Sequence, residues 1–274
     1  MISKKDNYAL FISWLDENKI KINKIYIDRP TETNRILRAK RFIPKYEEIL
    51  RIPLRMIITF ENVLLYFDIK TKSNLEIKYK HGLYALYIHC QKRNEKSFWL
   101  PYINILPEKL EFTYSEYTSG SPFEYNQLLH LSKTKKQNGI RELDELKSVL
   151  KKWNFEDLDS KEFLKLKLQI SSRLFSIDKG AGKTSGMVPL ADFMNHDLEY
   201  NCIWKSDFGS NDFVLESIEE IQENDQVLEF YGPKTDDNFM LNYGFCFTDN
   251  FNSKVDLFFY LDLSALGFKE IGPL

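Results

Sequence analysis

The chain has only three cysteines in 274 residues, Cys90, Cys202 and Cys246. They stand too far apart for the close pairs that structural zinc sites and redox motifs use, and their number is odd. That usage points to a reducing compartment and to no metal. Long apolar runs are missing too. The opening stretch MISKKDNYALFISWLDENK is broken by charge every few residues, so it lacks the apolar centre of a signal peptide or a membrane span. Net charge is nearly absent: at a formal −2, the chain is not built mainly to neutralise nucleic-acid phosphates. There are no internal repeats and no low-complexity tracts. These absences imply a cytoplasmic or nuclear protein with no nucleic-acid or membrane partner.

What is present suits an ordinary globular interior. Hydrophobic residues make up 43% and charged residues 28%, and the length allows one large or two small cores. Aromatic residues reach 15%, mostly Phe and Tyr, which favours strands and ring-lined surface.

The patterning then divides the chain. Tyr8, Phe11, Trp14 and Leu15 recur at helical spacing behind Asp6 and Asn7, either of which can cap, and predict an amphipathic helix. ILRAKRFI and EEILRIPLRMII, separated by Pro44 and interrupted by Pro53, predict short strands. In a middle block, Leu83, Leu86, Tyr87 and Cys90 share one helical face, and Leu143, Leu146, Val149, Leu150 and Trp153 another. SKEFLKLKLQISSRLFS begins at a Ser160 cap, and SKTKKQNG, 132–139, reads as an exposed loop. After Gly186, strand signals return in NCIWKS, DFVLES, DQVLEFYG and KVDLFFYLD. A β region split by a helical insertion predicts an α+β fold and not a doubly wound parallel sheet.

Two clusters could carry chemistry. In PLADFMNH, Asp192, Asn195 and His196 interrupt an apolar run and stand where the chain would leave the core. They could equally bridge local turns, as such residues often do. In EFYGPKTDDNFMLNYGF, Tyr231 and Tyr243 each precede a glycine across a polar turn, placing two hydroxyls near tight backbone. Singly, each ring also reads as core packing.

VPLADFMNHDLEYNCIW, IEEIQENDQVLEFYGPKTDDNFMLNYGF and DNFNSKVDLFFYL resemble, in order and spacing, the C-terminal half of SET-domain methyltransferases. The subgroup is the one typified by the Rubisco large-subunit lysine methyltransferase, whose SET domain is split by a helical insertion. SFWLPYINILP, SSRLF and ILRAKRFIPKYEEILRIPLRMIITFE extend the resemblance upstream, from about residue 5 to about residue 262. It implies an α+β SET fold of short strands in small sheets, with a C-terminal pseudoknot. The parts would be an N-terminal helix (1–25), a first SET part (26–78), the insertion (79–183), a second SET part (184–262) and a tail (263–274).

The implied function is methyl transfer from S-adenosylmethionine to a lysine of a non-histone protein. Asn195 and His196 match the Asn-His motif that holds the cofactor, and Arg173 matches an arginine at the cofactor carboxylate. Tyr231 matches the tyrosine at the transfer centre, and Tyr243 a second aromatic of the lysine channel. Family chemistry also admits histidine or N-terminal amine acceptors.

Two features depart from the family. Its opening Gly-x-Gly turn is NRIL here, with Asn34 and Ile36 at the glycine positions that would face the cofactor. A β-branched Ile36 resists positive φ and adds bulk, which supports an alternative: a catalytically inactive SET-like module that binds a protein. Many members also carry a C-terminal helical domain, whereas this sequence stops soon after LDLSALGFKEIGPL. Substrate recognition is then expected on the SET surface, the insertion or another chain.

Overall fold

Apolar side chains at helical spacing make the first element a helix, α1 (Lys4–Glu17), which buries Phe11, Trp14 and Leu15 on one side. The computed structural model describes residues 4–31, 34–70, 74–108, 127–179, 182–207 and 209–254. Beyond α1 come β1 (Ile25–Asp28), β2 (Ile36–Ala39), β3 (Glu48–Ile52) and β4 (Ile58–Thr59). Five helices follow: α2 (Phe60–Tyr66), α3 (Asn74–Lys92), α4 (Leu100–Ile103), α5 (Gln127–Val149) and α6 (Ser160–Ser171). The chain then returns to strands with β5 (Leu174–Asp178), β6 (Lys183–Met187), β7 (Asn195–His196), β8 (Cys202–Asp207), β9 (Asp212–Ser217) and β10 (Leu228–Glu229), and reaches α7 (Asp236–Tyr243).

The sheets join the two ends of the chain across the helices. Strand β3 pairs antiparallel with β9, which pairs with β8, while β4 pairs antiparallel with β6, which pairs with β5. Ile58 faces Met187 in that register, so the helical block is an insertion between paired strands. Strands β1 and β2 form an antiparallel ribbon, and β7 lies parallel to β10. This is the α+β plan expected. Among the described residues, no helix is long and apolar enough to cross a membrane.

Each insertion helix has a local reason to form. Thr59 caps α2 in a capping box: its hydroxyl accepts from the Asn62 amide, and the Asn62 side chain accepts from the Thr59 amide. In α6, Phe163, Leu166 and Ile170 are buried at helical spacing. Its cap is Asp159, whose carboxylate accepts from the Glu162 amide at 2.7 Å, and not Ser160 as expected.

Three other expectations change. Residues 132–139 are not a loop: they lie inside α5, with Ser132 buried. Gly139 explains the misreading, because a Cβ there would lie 2.4 Å from Leu164 Cδ2, so the glycine serves close packing of α5 on α6 and does not break the helix. Val149 leaves the face assigned to it and is 57% exposed at the end of α5, while Leu143, Leu146 and Leu150 are buried. Finally, the segment between the two Tyr-Gly units is helix α7, capped by Thr235, and not a turn. The insertion boundary read at residue 79 falls inside α3. The strand expected at KVDLFFYLD, and the C-terminal tail, lie almost wholly outside the described residues.

Candidate active site

Asp192 anchors the site from inside the protein. The short turn Ala191–Phe193 carries it, entered through Leu190 at φ 73° and ψ −45°. A non-glycine residue in that region costs roughly 1–3 kcal/mol and persists only where packing holds it, and Leu190 is fully packed. The Asp192 side chain is completely buried. It accepts a 2.9 Å hydrogen bond from the Tyr102 hydroxyl of α4 and lies 3.3 Å from Arg173 Nε. Burial raises the carboxyl pKa, while Arg173, Arg35 and Tyr102 pull it back. Arg173 itself stands between α6 and β5, where its Nη1 donates to the Ser172 hydroxyl at 2.7 Å and to the Gln169 carbonyl at 3.2 Å.

The pairing of β7 with β10 brings the sequence motifs together. Leu228 faces Asn195 and Glu229 faces His196 in a parallel register. His196 is buried between two rings, with Tyr231 at 5.1 Å and 17° and Phe239 of α7 at 4.9 Å and 18°. Its Nδ1 lies 3.1 Å from the Glu229 carbonyl and 3.2 Å from the Tyr231 amide. Burial lowers its pKa, so the imidazole is held neutral. His196 is thus a strut that positions Tyr231 and α7. Asn195 donates to Gln226 Oε1 at 3.0 Å and keeps part of its surface free. Tyr231 donates its hydroxyl to the Met194 carbonyl at 2.6 Å, and its ring lies 5.0 Å from that of Tyr243. Gly232 and Gly244, the residues after these tyrosines, have φ of 92° and 86°, where a side chain would be strained.

Two cavities meet at these residues. The larger, about 460 Å³, is lined by Asn34, Arg35, Phe193, Asn195, His196, Phe245 and Phe247 among others. The smaller, about 330 Å³, is lined by Phe175, Trp204, Glu229, Phe230, Gly232 and Lys234 among others. Ser172, Arg173, Asp192, Tyr231 and Tyr243 belong to both walls. These five residues are the wall, or partition, that the two cavities share.

Sequence and structure can now be matched with known proteins. The SET-domain sequence model matches residues 34–232, well over half of the chain. The chain belongs to the SET-domain family. It is 23% identical over 93% of its length to the actin-histidine N-methyltransferase of Danio rerio, and 25% identical over 93% to that of Gallus gallus. It spans only 44% and 45% of those two proteins. Among solved structures, the SET domain of LSMT bound to MeLysine and AdoHcy aligns with a TM-score of 0.72 at 22% identity, over 89% of this chain and 57% of that one. Rubisco LSMT bound to AdoMet aligns with a TM-score of 0.68 at 22% identity, over 89% and 57%. At this identity, the solved structures speak to the SET fold.

Within this SET domain, six of the seven residues singled out from sequence line the larger cavity: Asn34, Arg173, Asn195, His196, Tyr231 and Tyr243. Ile36 does not. It begins β2 in extended backbone, opposite Asp28, and is buried off the cavity wall. Its neighbour Arg35 lines the cavity instead. That guanidinium donates to the Ile105 carbonyl and covers the Phe193 ring at 4.5 Å.

Sequence reasoning missed Arg35, gave Asp192 only a local role, and missed Glu229 and Lys234. One signal for Glu229 was an acid inside the apolar strand DQVLEFYG. Burial, and secondarily Asp192, pushes the Glu229 carboxyl well above its ordinary 4.5, with Lys234 opposing.

Two outcomes are expected. Asp192→Ala leaves Arg173 buried without its counter-ion, and should lower unfolding free energy by about 3–5 kcal/mol in chemical denaturation. Asp192→Asn, which still accepts from Tyr102, should lower it less, and equal losses would contradict the ion-pair role. Because the folded Glu229 pKa is raised, the folded state binds that proton more tightly than the unfolded state, and stability falls as pH rises above 4.5. Glu229→Gln should therefore gain thermal stability relative to wild type as pH rises. A difference independent of pH would contradict this.

Proposed function

We propose that this chain is an S-adenosylmethionine-dependent methyltransferase whose acceptor is a lysine amine on a non-histone protein. The two-chamber arrangement carries the reading, because it gives two substrates adjoining chambers with a shared wall that includes Tyr231 and Tyr243. Much of catalysis by in-line displacement is positioning, and a narrow partition provides it.

The larger chamber fits the cofactor. Its lining has two arginines, Arg35 and Arg173, against one carboxylate, Asp192, and Arg173 Nε has no hydrogen-bond partner among the described residues. A cofactor carboxylate suits that excess charge. Asn34 and Asn195 offer amide groups, and Phe245 and Phe247 offer apolar faces for a flat base. Ile36 lies off this wall, so the missing family glycines do not put its bulk beside the cofactor. That favours the enzyme over the inactive module. When bound, S-adenosylmethionine supplies an electrophilic methyl group on a sulfonium.

The smaller chamber suits a lysine. Phe175, Trp204, Tyr231 and Tyr243 present aromatic rings, which attract a cationic head, while Asp192 and Glu229 add acidic groups. Desolvation there favours the neutral amine, the form that can attack. Burial pushes the Tyr231 hydroxyl well above its ordinary pKa, so Tyr231 stays a phenol. With its proton given to the Met194 carbonyl, its oxygen can accept from the amine and aim the nitrogen lone pair. Histidine is the second reading, favoured by the names of the curated relatives matched over 93% of this chain.

The test is transfer of labelled methyl to a methylation-depleted protein extract, followed by amino-acid analysis. Methyllysine is expected, and Tyr231→Phe should slow its formation about a hundredfold. Methylhistidine alone would replace lysine as the acceptor. No transfer by a folded protein would favour the binding module. A cytoplasmic or nuclear location accords with this reading.

A further inference from the structure

The acceptor chamber holds a lysine of the chain itself. Lys234 follows the Gly232–Pro233 corner and directly precedes Thr235, the cap of α7, so its backbone is fixed beside the partition. Its carbonyl accepts from Asn250 Nδ2 at 2.9 Å. The side chain turns back into the smaller cavity. There, Nζ donates to the Tyr231 carbonyl and lies 5.8 Å from the centroid of the Tyr243 ring, one of the partition residues. Glu229 and Asp192, which line the same chamber, provide the acidic surroundings.

We propose that Lys234 is a self-methylation site, its amine occupying the acceptor chamber and taking a methyl group in cis. The proposal rests on the methyltransferase reading above. Three features favour the amine as a nucleophile. It lines the chamber walled by Tyr231 and Tyr243. Its Nζ already lies 5.8 Å from the centroid of the Tyr243 ring. Burial also lowers its pKa, partly offset by Glu229, which enlarges the neutral fraction. In the step itself, the ammonium first loses a proton to solvent. The nitrogen lone pair then forms a bond to the methyl carbon, the carbon–sulfur pair leaves with sulfur as the thioether S-adenosylhomocysteine, and nitrogen, now four-bonded, takes over the positive charge that sulfur held.

Occupancy has a second consequence. An outside lysine entering the same chamber competes with Lys234 for the place beside Tyr231 and Tyr243, so its apparent affinity falls by the fraction of time Lys234 holds that place.

The experiment incubates the purified full chain with S-adenosylmethionine and locates methyl groups by peptide mass spectrometry, over a dilution series. Calorimetric titrations run in parallel, with S-adenosylmethionine on the wild type and with free L-lysine on wild type and Lys234→Ala. A methyl group on Lys234, formed at a rate per molecule independent of protein concentration and absent from Lys234→Arg, is expected. Severalfold tighter binding of free lysine by Lys234→Ala is also expected. An unmodified Lys234 in a chain that binds S-adenosylmethionine would overturn the proposal and leave the methyltransferase reading standing. Methylation that accelerates with concentration would overturn the in-cis step, and unchanged lysine affinity would overturn the occupancy. Absence of S-adenosylmethionine binding would sink both this proposal and the reading beneath it.

Discussion

A single buried carboxylate, Asp192, ties the functional region to the rest of the molecule. Tyr102 reaches it from the short helix after α3, Arg173 from the end of α6, and its own turn follows β6. Three segments separated in the chain therefore converge on one charge. A buried charge is tolerable only while partnered, so the helical insertion and the second β region hold each other in register at this point. The strained Leu190 immediately before it belongs to the same arrangement, because its positive φ turns the chain so that Asp192 faces inward.

The second constraint is the parallel pairing of two very short strands. Two residue pairs, Asn195 with Leu228 and His196 with Glu229, are weak alone even with the Leu228 amide donating to Asn201 Oδ1, but His196 stacked between Tyr231 and Phe239 locks them. The imidazole contributes here a flat ring that stacks and an Nδ1 beside the Glu229 carbonyl and the Tyr231 amide. From this strut follow the place of Tyr231, the seat of α7, and thereby the position of Tyr243. The partition between the chambers is the product of these two constraints.

Much of this was legible in the sequence where the signal is local. Apolar periodicity marked α1 and the buried face of α6, and the return of strands after the helices indicated the split α+β plan. The motifs around Asn195 and Tyr231 place four residues, Asn195, His196, Tyr231 and Tyr243, on one cavity wall, and NRIL and SSRLF add Asn34 and Arg173. What failed depended on partners distant in sequence. Gly139 looks like a loop residue until Leu164 is packed against it, and Val149, the last residue of α5, is exposed while Leu143, Leu146 and Leu150 find partners. Ile36 was taken as a cofactor contact from a motif position, yet strand pairing with Asp28 puts it in the core and leaves Arg35 on the wall. The role of Asp192 was hidden for the same reason, since Tyr102 and Arg173 lie far from it in the chain.

On the proposed reading, the larger chamber takes S-adenosylmethionine although Asn34 and Ile36 replace the family's glycines. Calorimetric titration of the purified chain with S-adenosylmethionine tests it most directly, with Asn195→Ala as the comparison. The account predicts saturable one-to-one binding, weakened about tenfold by the substitution, as loss of about one hydrogen bond would give. No binding by a chain shown to be folded would contradict it.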